Sequence, residues 1–108
     1  IPQLVVADDA PSLDGPVAAA VAGAVGEALA NAAKHSGADR IVVFAEPTDV
    51  EGELFCSVRD NGAGFDVGAP RQGVGLRRSI HDRITEVGGR VQIDSRPGRG
   101  TEVRLWVR

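Results

Sequence analysis

Hydrophobic periodicity along the chain alternates between two kinds, and the order of the alternation limits the fold more than any other feature. Gln3 to Ala7 is a short strand-like run. From Val17 to about His35 the chain is rich in alanine and free of proline, with Val21, Val25 and Leu29 at helical spacing. Arg40 to Ala45 is a continuous apolar strand, and Glu53 to Asp60 alternates, with Leu54, Cys56 and Val58 on one face. After a glycine-rich stretch, Gly75 to Val87 returns to helical spacing through Leu76, Ile80, Ile84 and Val87. Arg90 to Ser95 and Thr101 to Val107 read as two further strands around a Pro-Gly turn. The order β, α, β, β, loop, α, β, β has too few helices to cover both faces of a sheet. It predicts an α+β two-layer sandwich, a mixed sheet with helices on one face.

The length of 108 residues suits one domain over 1–108 with one modest core. Hydrophobic residues make up 43% and charged residues 25%, an ordinary globular balance. A formal net charge of −3 offers no basic footprint for nucleic acid, so any phosphate site must be local. The single cysteine excludes an internal disulfide and a cysteine-based zinc site, and Cys56 falls on an inward strand position. No apolar run approaches a membrane span and no signal peptide is present, so we expect a cytoplasmic domain without direct membrane contact. A chain that starts at Ile1 and has no methionine is expected to be a piece of a longer protein.

Four polar elements interrupt this pattern in order. Glu27, Asn31 and His35 recur every fourth residue, and with Lys34 they share one face of the first helix. Leu29 lies about 200° around the helix from Glu27, so one face can be buried while the other meets a ligand. An asparagine oxygen suits Mg²⁺, which takes few protein ligands. Lys34, the only lysine, suits a phosphate. A plain solvated helix face explains the same residues.

Asp60 continues the inward parity of Leu54, Cys56 and Val58, and a buried carboxylate needs a donor such as an adenine amino group. Gly62 and Gly64 after it would admit a flat ring; equally, Asp60-Asn61-Gly62 is good turn chemistry. Gly73 and Gly75 precede a helix whose first turn carries Arg77 and Arg78, an arrangement that favours a bound anion but also fits a flexible connector. Thr101 faces inward beside a turn, either in a base-binding network or as an ordinary strand residue. Trp106 has the opposite parity, which suits cover for a sheet edge or contact with a neighbouring domain. His81 beside Asp82 reads as a surface residue.

Together these elements carry a resemblance. Glu27-Ala-Leu-Ala-Asn31-Ala-Ala-Lys34-His35 resembles the N box of the histidine-kinase and gyrase-type ATPase superfamily. Asp60-Asn-Gly-Ala-Gly-Phe65 resembles its G1 box, Gly73-Val-Gly-Leu76 its G2 box, and Pro97-Gly-Arg-Gly-Thr101 its terminal Gly-Thr element. The short interval from Phe65 to Gly73 is similar to sensor kinases that pair with NarL-type regulators.

The resemblance implies the catalytic domain of a two-component sensor histidine kinase, with ATP and Mg²⁺ as cofactors. It implies Asn31 as the Mg²⁺ ligand, Asp60 on the adenine amino group, and Lys34 and His35 beside the phosphates. Gly62, Gly64, Gly73, Gly75 and Leu76 would shape the pocket and its lid, Thr101 would support adenine, and Glu27 would act with Asn31 in catalysis. The γ-phosphoryl group would pass to a histidine on a separate helical dimerisation domain, and from there to a response regulator, the isolated chain being a monomer. An anti-sigma-factor serine kinase of the same fold, or a non-enzymatic nucleotide-binding module, are the alternatives. Ser79-Ile80-His81-Asp82-Arg83 departs from the arginine-rich helix usual after the G2 box.

Overall fold

The computed structural model describes residues 2–6, 15–32, 40–62 and 74–108. Its strands are β1 (Pro2–Val6), β2 (Ile41–Pro47), β3 (Leu54–Asp60), β4 (Arg90–Ser95) and β5 (Thr101–Val107), and its helices are α1 (Gly15–Asn31) and α2 (Val74–Glu86). Every element expected from periodicity is present, with boundaries shifted by a residue or two. The His35 end of the first expected helix lies outside the described residues.

The five strands form one sheet in the order β1-β2-β3-β5-β4. β1 runs parallel to β2, and the other neighbours are antiparallel. The expected mixed sheet is therefore borne out. Strand parity divides its faces. Ile41, Val43, Ala45, Leu54, Cys56, Val58, Val103, Leu105 and Val107 are buried in one core with the helices. On the other face Phe44, Phe55 and Trp106 form a tilted aromatic row, with ring centroids 6.3 and 5.3 Å apart. Arg90 lies over the Trp106 ring at 4.5 Å. Trp106 is thus part of a cross-strand row on the face away from the core.

The first helix packs differently from the expected stripe. Its deepest residues are Val17, Ala20, Ala24 and Ala28, while Val21, Val25 and Leu29 pack beside the core, partly buried. The reason is size. Alanine lets a helix axis approach its neighbours closely, so the alanine face turns inward and the valines fill the flank. Gly23 marks the same approach: a Cβ there would come within 2.7 Å of the Arg83 guanidinium from α2. Ile80 and Ile84 supply the bulk from α2, both fully buried.

Helix α2 stops at a glycine. The amide of Gly89 donates to Ile84 O (2.9 Å) and that of Gly88 to Thr85 O (3.0 Å), with Gly88 at φ +79°. This is the Schellman pattern, in which a left-handed residue satisfies the last carbonyls and turns the chain back into the sheet. Among the described residues, no helix is long and apolar enough to cross a membrane.

Cys56 sits at the centre of the sheet, 3% exposed, and burial pushes its thiol from 9.0 up to about 11. The folded chain keeps the thiol protonated through a range in which the unfolded chain ionises. Its contribution to stability is complete below pH 9.0 and disappears as pH rises to about 11. Denaturation from about pH 8 to about pH 11 should therefore show the wild type losing on the order of 2 kcal/mol more than Cys56→Ala. Parallel losses in the two proteins would contradict this account of the thiol.

Candidate functional site

The site begins with a row of polar residues at one end of the sheet. Pairing places Asp60 opposite Thr101, and Thr101 opposite Ser95, across β3, β5 and β4. All three are inward-facing and buried, at 7%, 5% and 9% exposure. Below them on the same face come Val58, Val103 and Ile93, so the row is the polar rim of an otherwise apolar layer. Burying three polar side chains together is costly unless they are bonded.

Their bonds are local. Asp60 Oδ1 accepts the amide of Gly62 at 2.8 Å. Ser95 Oγ donates to Gly100 O at 3.1 Å and lies 2.8 Å from Thr101 Oγ1. The Asp60–Gly62 bond is an Asx-type turn. The two sequence readings of Asp-Asn-Gly, turn and binding site, are therefore compatible. The turn holds one carboxylate oxygen and leaves acceptor capacity on the other. Asn61 anchors the same corner, its Oδ1 accepting the Arg40 amide at 3.0 Å while its own amide donates to Arg40 O at 3.2 Å.

Gly100 allows the row to close. It has φ +79°, and a Cβ at this position would run into the carbonyl oxygen of Asp60 and come 3.1 Å from the Asn61 Cα. The β4–β5 turn therefore passes directly against the end of β3. The ends of β3, β4 and β5 also line a recess of about 250 Å³, shared with Arg59, Asp94 and Glu102, whose strand parity is opposite to that of the row, and with Arg96 and Arg99 of the turn.

The remaining expected site residues divide by location. Glu27 and Asn31 lie one turn apart near the end of α1, both half-buried. Glu27 is 3.7 Å from the Arg83 guanidinium of α2, a solvent-accessible pair of small energetic weight. Gly62 is buried beside Asp60, and Gly75 and Leu76 are in the first turn of α2. Lys34, His35, Gly64 and Gly73 lie outside the described residues. His81 is exposed beside Asp82, 3.9 Å away, as expected. Sequence reasoning missed two participants. Ser95 was readable only as the hairpin partner of Thr101, and the Arg83–Glu27 contact depends on the α1–α2 approach at Gly23.

Residues 17–108 match the family described as histidine kinase-, DNA gyrase B- and HSP90-like ATPases. The chain belongs to this family. The recognition made from the four boxes is thereby borne out, and the family implies ATP binding. Among curated relatives, the sensor histidine kinase YdfH of Bacillus subtilis is 35% identical over 85 residues, covering 77% of this chain and 21% of that protein. The oxygen sensor histidine kinase NreB of Staphylococcus carnosus is 38% identical over 84 residues, covering 77% and 24%. The chain thus spans about a quarter or less of these relatives. The fold matches the blue-light activated histidine kinase of Erythrobacter litoralis EL346 with a TM-score of 0.76, at 20% identity, over 98% of this chain and 35% of that one.

Two glycines separate the effect of backbone conformation from that of close approach. Gly98 has φ +78° with open space for 4 Å around the point where a Cβ would lie, whereas Gly100 has both the positive φ and the Asp60 contact. Gly98→Ala should cost about 1 kcal/mol, and Gly100→Ala about 2–4 kcal/mol. Urea denaturation reads both, and equal costs would show that the turn does not press on β3.

Proposed function

We propose that this chain is the ATP-binding catalytic domain of a sensor histidine kinase and that its base pocket is the Asp60–Thr101 row. The observation that carries the reading is Asp60 itself, a carboxylate 7% exposed at a strand end, fixed on one oxygen by Gly62 and still able to accept on the other. An exocyclic amino group of a purine is a donor of matching chemistry, and the apolar residues below the row suit the ring. Gly62 can approach the ring face closely. Thr101 completes the polar rim.

Asn31, Lys34 and His35 belong to the phosphate end in this reading. The carboxamide of Asn31 is the protein ligand for Mg²⁺, whose charge would offset that of the phosphates. The resemblance assigns Lys34 and His35 to the phosphates, and Gly64, Gly73, Gly75 and Leu76 to the pocket and its lid. The first turn of α2 has no acidic residue and carries Arg77, with Arg78 next in sequence, and an anion bound at the helix N-terminus would offset their charge. Glu27 orients or deprotonates the attacking group, with Arg83 limiting where its carboxylate can point.

Phosphoryl transfer by such a site depends on positioning and charge neutralisation. The acceptor is a histidine on a separate helical dimerisation domain of the same longer protein, and a response regulator receives the phosphoryl group from it. The chain alone, as a cytoplasmic monomeric domain, binds ATP–Mg²⁺ and transfers little.

Calorimetric titration with ATP, with and without Mg²⁺, tests this reading. Wild type should bind in a Mg²⁺-sensitive manner. Asp60→Ala should weaken binding roughly 10- to 100-fold, and Asn31→Ala should remove the Mg²⁺ effect. Adding the histidine-bearing helical domain should restore transfer from radiolabelled ATP. Wild-type binding that survives both substitutions would refute the assignment.

A further inference from the structure

We propose that this chain associates weakly, head to tail, with further copies of itself. The acidic turn between β2 and β3 of one copy docks in an arginine-lined recess at the opposite end of the sheet of the next. Both surfaces face away from the proposed base row.

The recess lies on the outer face of the sheet. Val42 and Phe44 of β2 and Arg59 of β3 line it together with Arg40 and Arg99, around a volume of about 550 Å³, and Asp60 and Asn61 complete the lining at the strand end. Val42 stands opposite Arg59, and both have the strand parity opposite to Asp60. The cations are what the pairing on this face leaves over. Glu102 stands in register with Arg59, yet its carboxylate lies 3.8 Å from Arg104, which also holds Asp94. Arg40, Arg59 and Arg99 are exposed and form no ion pair among the described residues. Guanidinium groups around an apolar floor call for an anionic partner that also brings an apolar side chain.

The same chain carries one. Asp49 and Glu51 are exposed, form no ion pair among the described residues, and flank Val50. Val50, at 43% exposure, is the large hydrophobic side chain that the described residues leave in solvent. Hydrogen bonds fix the turn in advance. The Thr48 amide donates to Glu53 O (3.1 Å) and the Glu53 amide to Val50 O (3.0 Å). The Thr48 hydroxyl donates to the Glu53 carboxylate (2.7 Å) and accepts the Val50 amide (3.1 Å). Glu53 is thereby engaged within the turn, while Asp49 and Glu51 remain to meet a partner. A pre-formed turn loses little entropy on docking.

The turn cannot reach the recess of its own copy. Arg40 precedes β2 and the turn follows it, so the strand length of roughly 20 Å separates them. The contact therefore joins different patches on two copies, leaves a turn free at one end and a recess at the other, and extends rather than closing on a two-fold axis. The net charge of −3 opposes association. A turn in a recess of this size also buries less than the roughly 1,600 Å² of a standard interface. The dissociation constant is accordingly on the order of 0.1–1 mM, and the dilute chain is a monomer.

Sedimentation equilibrium from about 10 μM to about 1 mM chain tests the contact. The weight-average mass of the wild type should rise with concentration, and the rise should shrink between about 0.1 M and about 1 M salt as screening shortens the reach of the charges. Arg59→Gln with Arg99→Gln should weaken self-association about tenfold, and so should Asp49→Asn with Glu51→Gln. A mixture of these two variants regains one intact recess and one intact turn. It should associate at wild-type strength and stop at a 1:1 complex. All four positions are exposed, and thermal melts check that each variant folds. Val50→Ser, which keeps every charge, should also weaken the contact.

A wild type that stays monomeric at about 1 mM overturns the proposal. A mixture that associates no more strongly than its components overturns it as well, because the wild type then associates through another surface. So does association that strengthens with salt, the mark of an apolar contact alone.

Discussion

The close passage of the β4–β5 turn against the end of β3 is the constraint on which the rest of the site depends. Gly100 at φ +79° brings the turn to the Asp60 carbonyl, where a side chain has no room. That contact sets the antiparallel register of β5 against β3, placing Thr101 opposite Asp60 and, through the hairpin, Ser95 opposite Thr101. A slip of one residue would send Asp60 and Thr101 to the other face and expose the apolar set beneath them. Position 100 therefore links core packing to the polar rim.

The helical layer meets a complementary demand. The proposed base pocket at the sheet end would require α1 to lie near the sheet without covering its rim. The alanine face allows the close approach, and Gly23 admits Arg83 from α2 at the crossing. Small residues thus do in the helical layer what Gly100 does in the sheet, letting backbones come together. Bulk is concentrated in Ile80 and Ile84 within the core. The aromatic row of Phe44, Phe55 and Trp106 stabilises the opposite face and leaves the helix side to the site.

Much of this was legible in the sequence. Alternation in β3 and β5 put Asp60 and Thr101 on the inward face, because strand parity is a local property that survives folding. The helix stop was legible in Gly88-Gly89 for the same reason. The alanine face of α1 was not, since hydrophobic periodicity weights valine and leucine and the choice between adjacent stripes is made by the partner surface. Ser95 was hidden because its role exists only through cross-strand pairing with Thr101. Arg83 against Glu27 depends on two helices meeting, which neither segment encodes alone. The functional readings at Lys34, His35, Gly64 and Gly73 rest on sequence resemblance, because these residues lie outside the described ones.

The central claim is that a purine binds at the strand-end row through its amino group. A crystal structure of the chain with a non-hydrolysable ATP analogue and Mg²⁺ tests it most directly. The account predicts the adenine amino nitrogen within hydrogen-bonding distance of Asp60, on the oxygen not held by Gly62, with Thr101 at the base edge and the phosphates directed toward Asn31. A base bound away from Asp60, or a nucleotide with its phosphates at the row and its base in solvent, would contradict it.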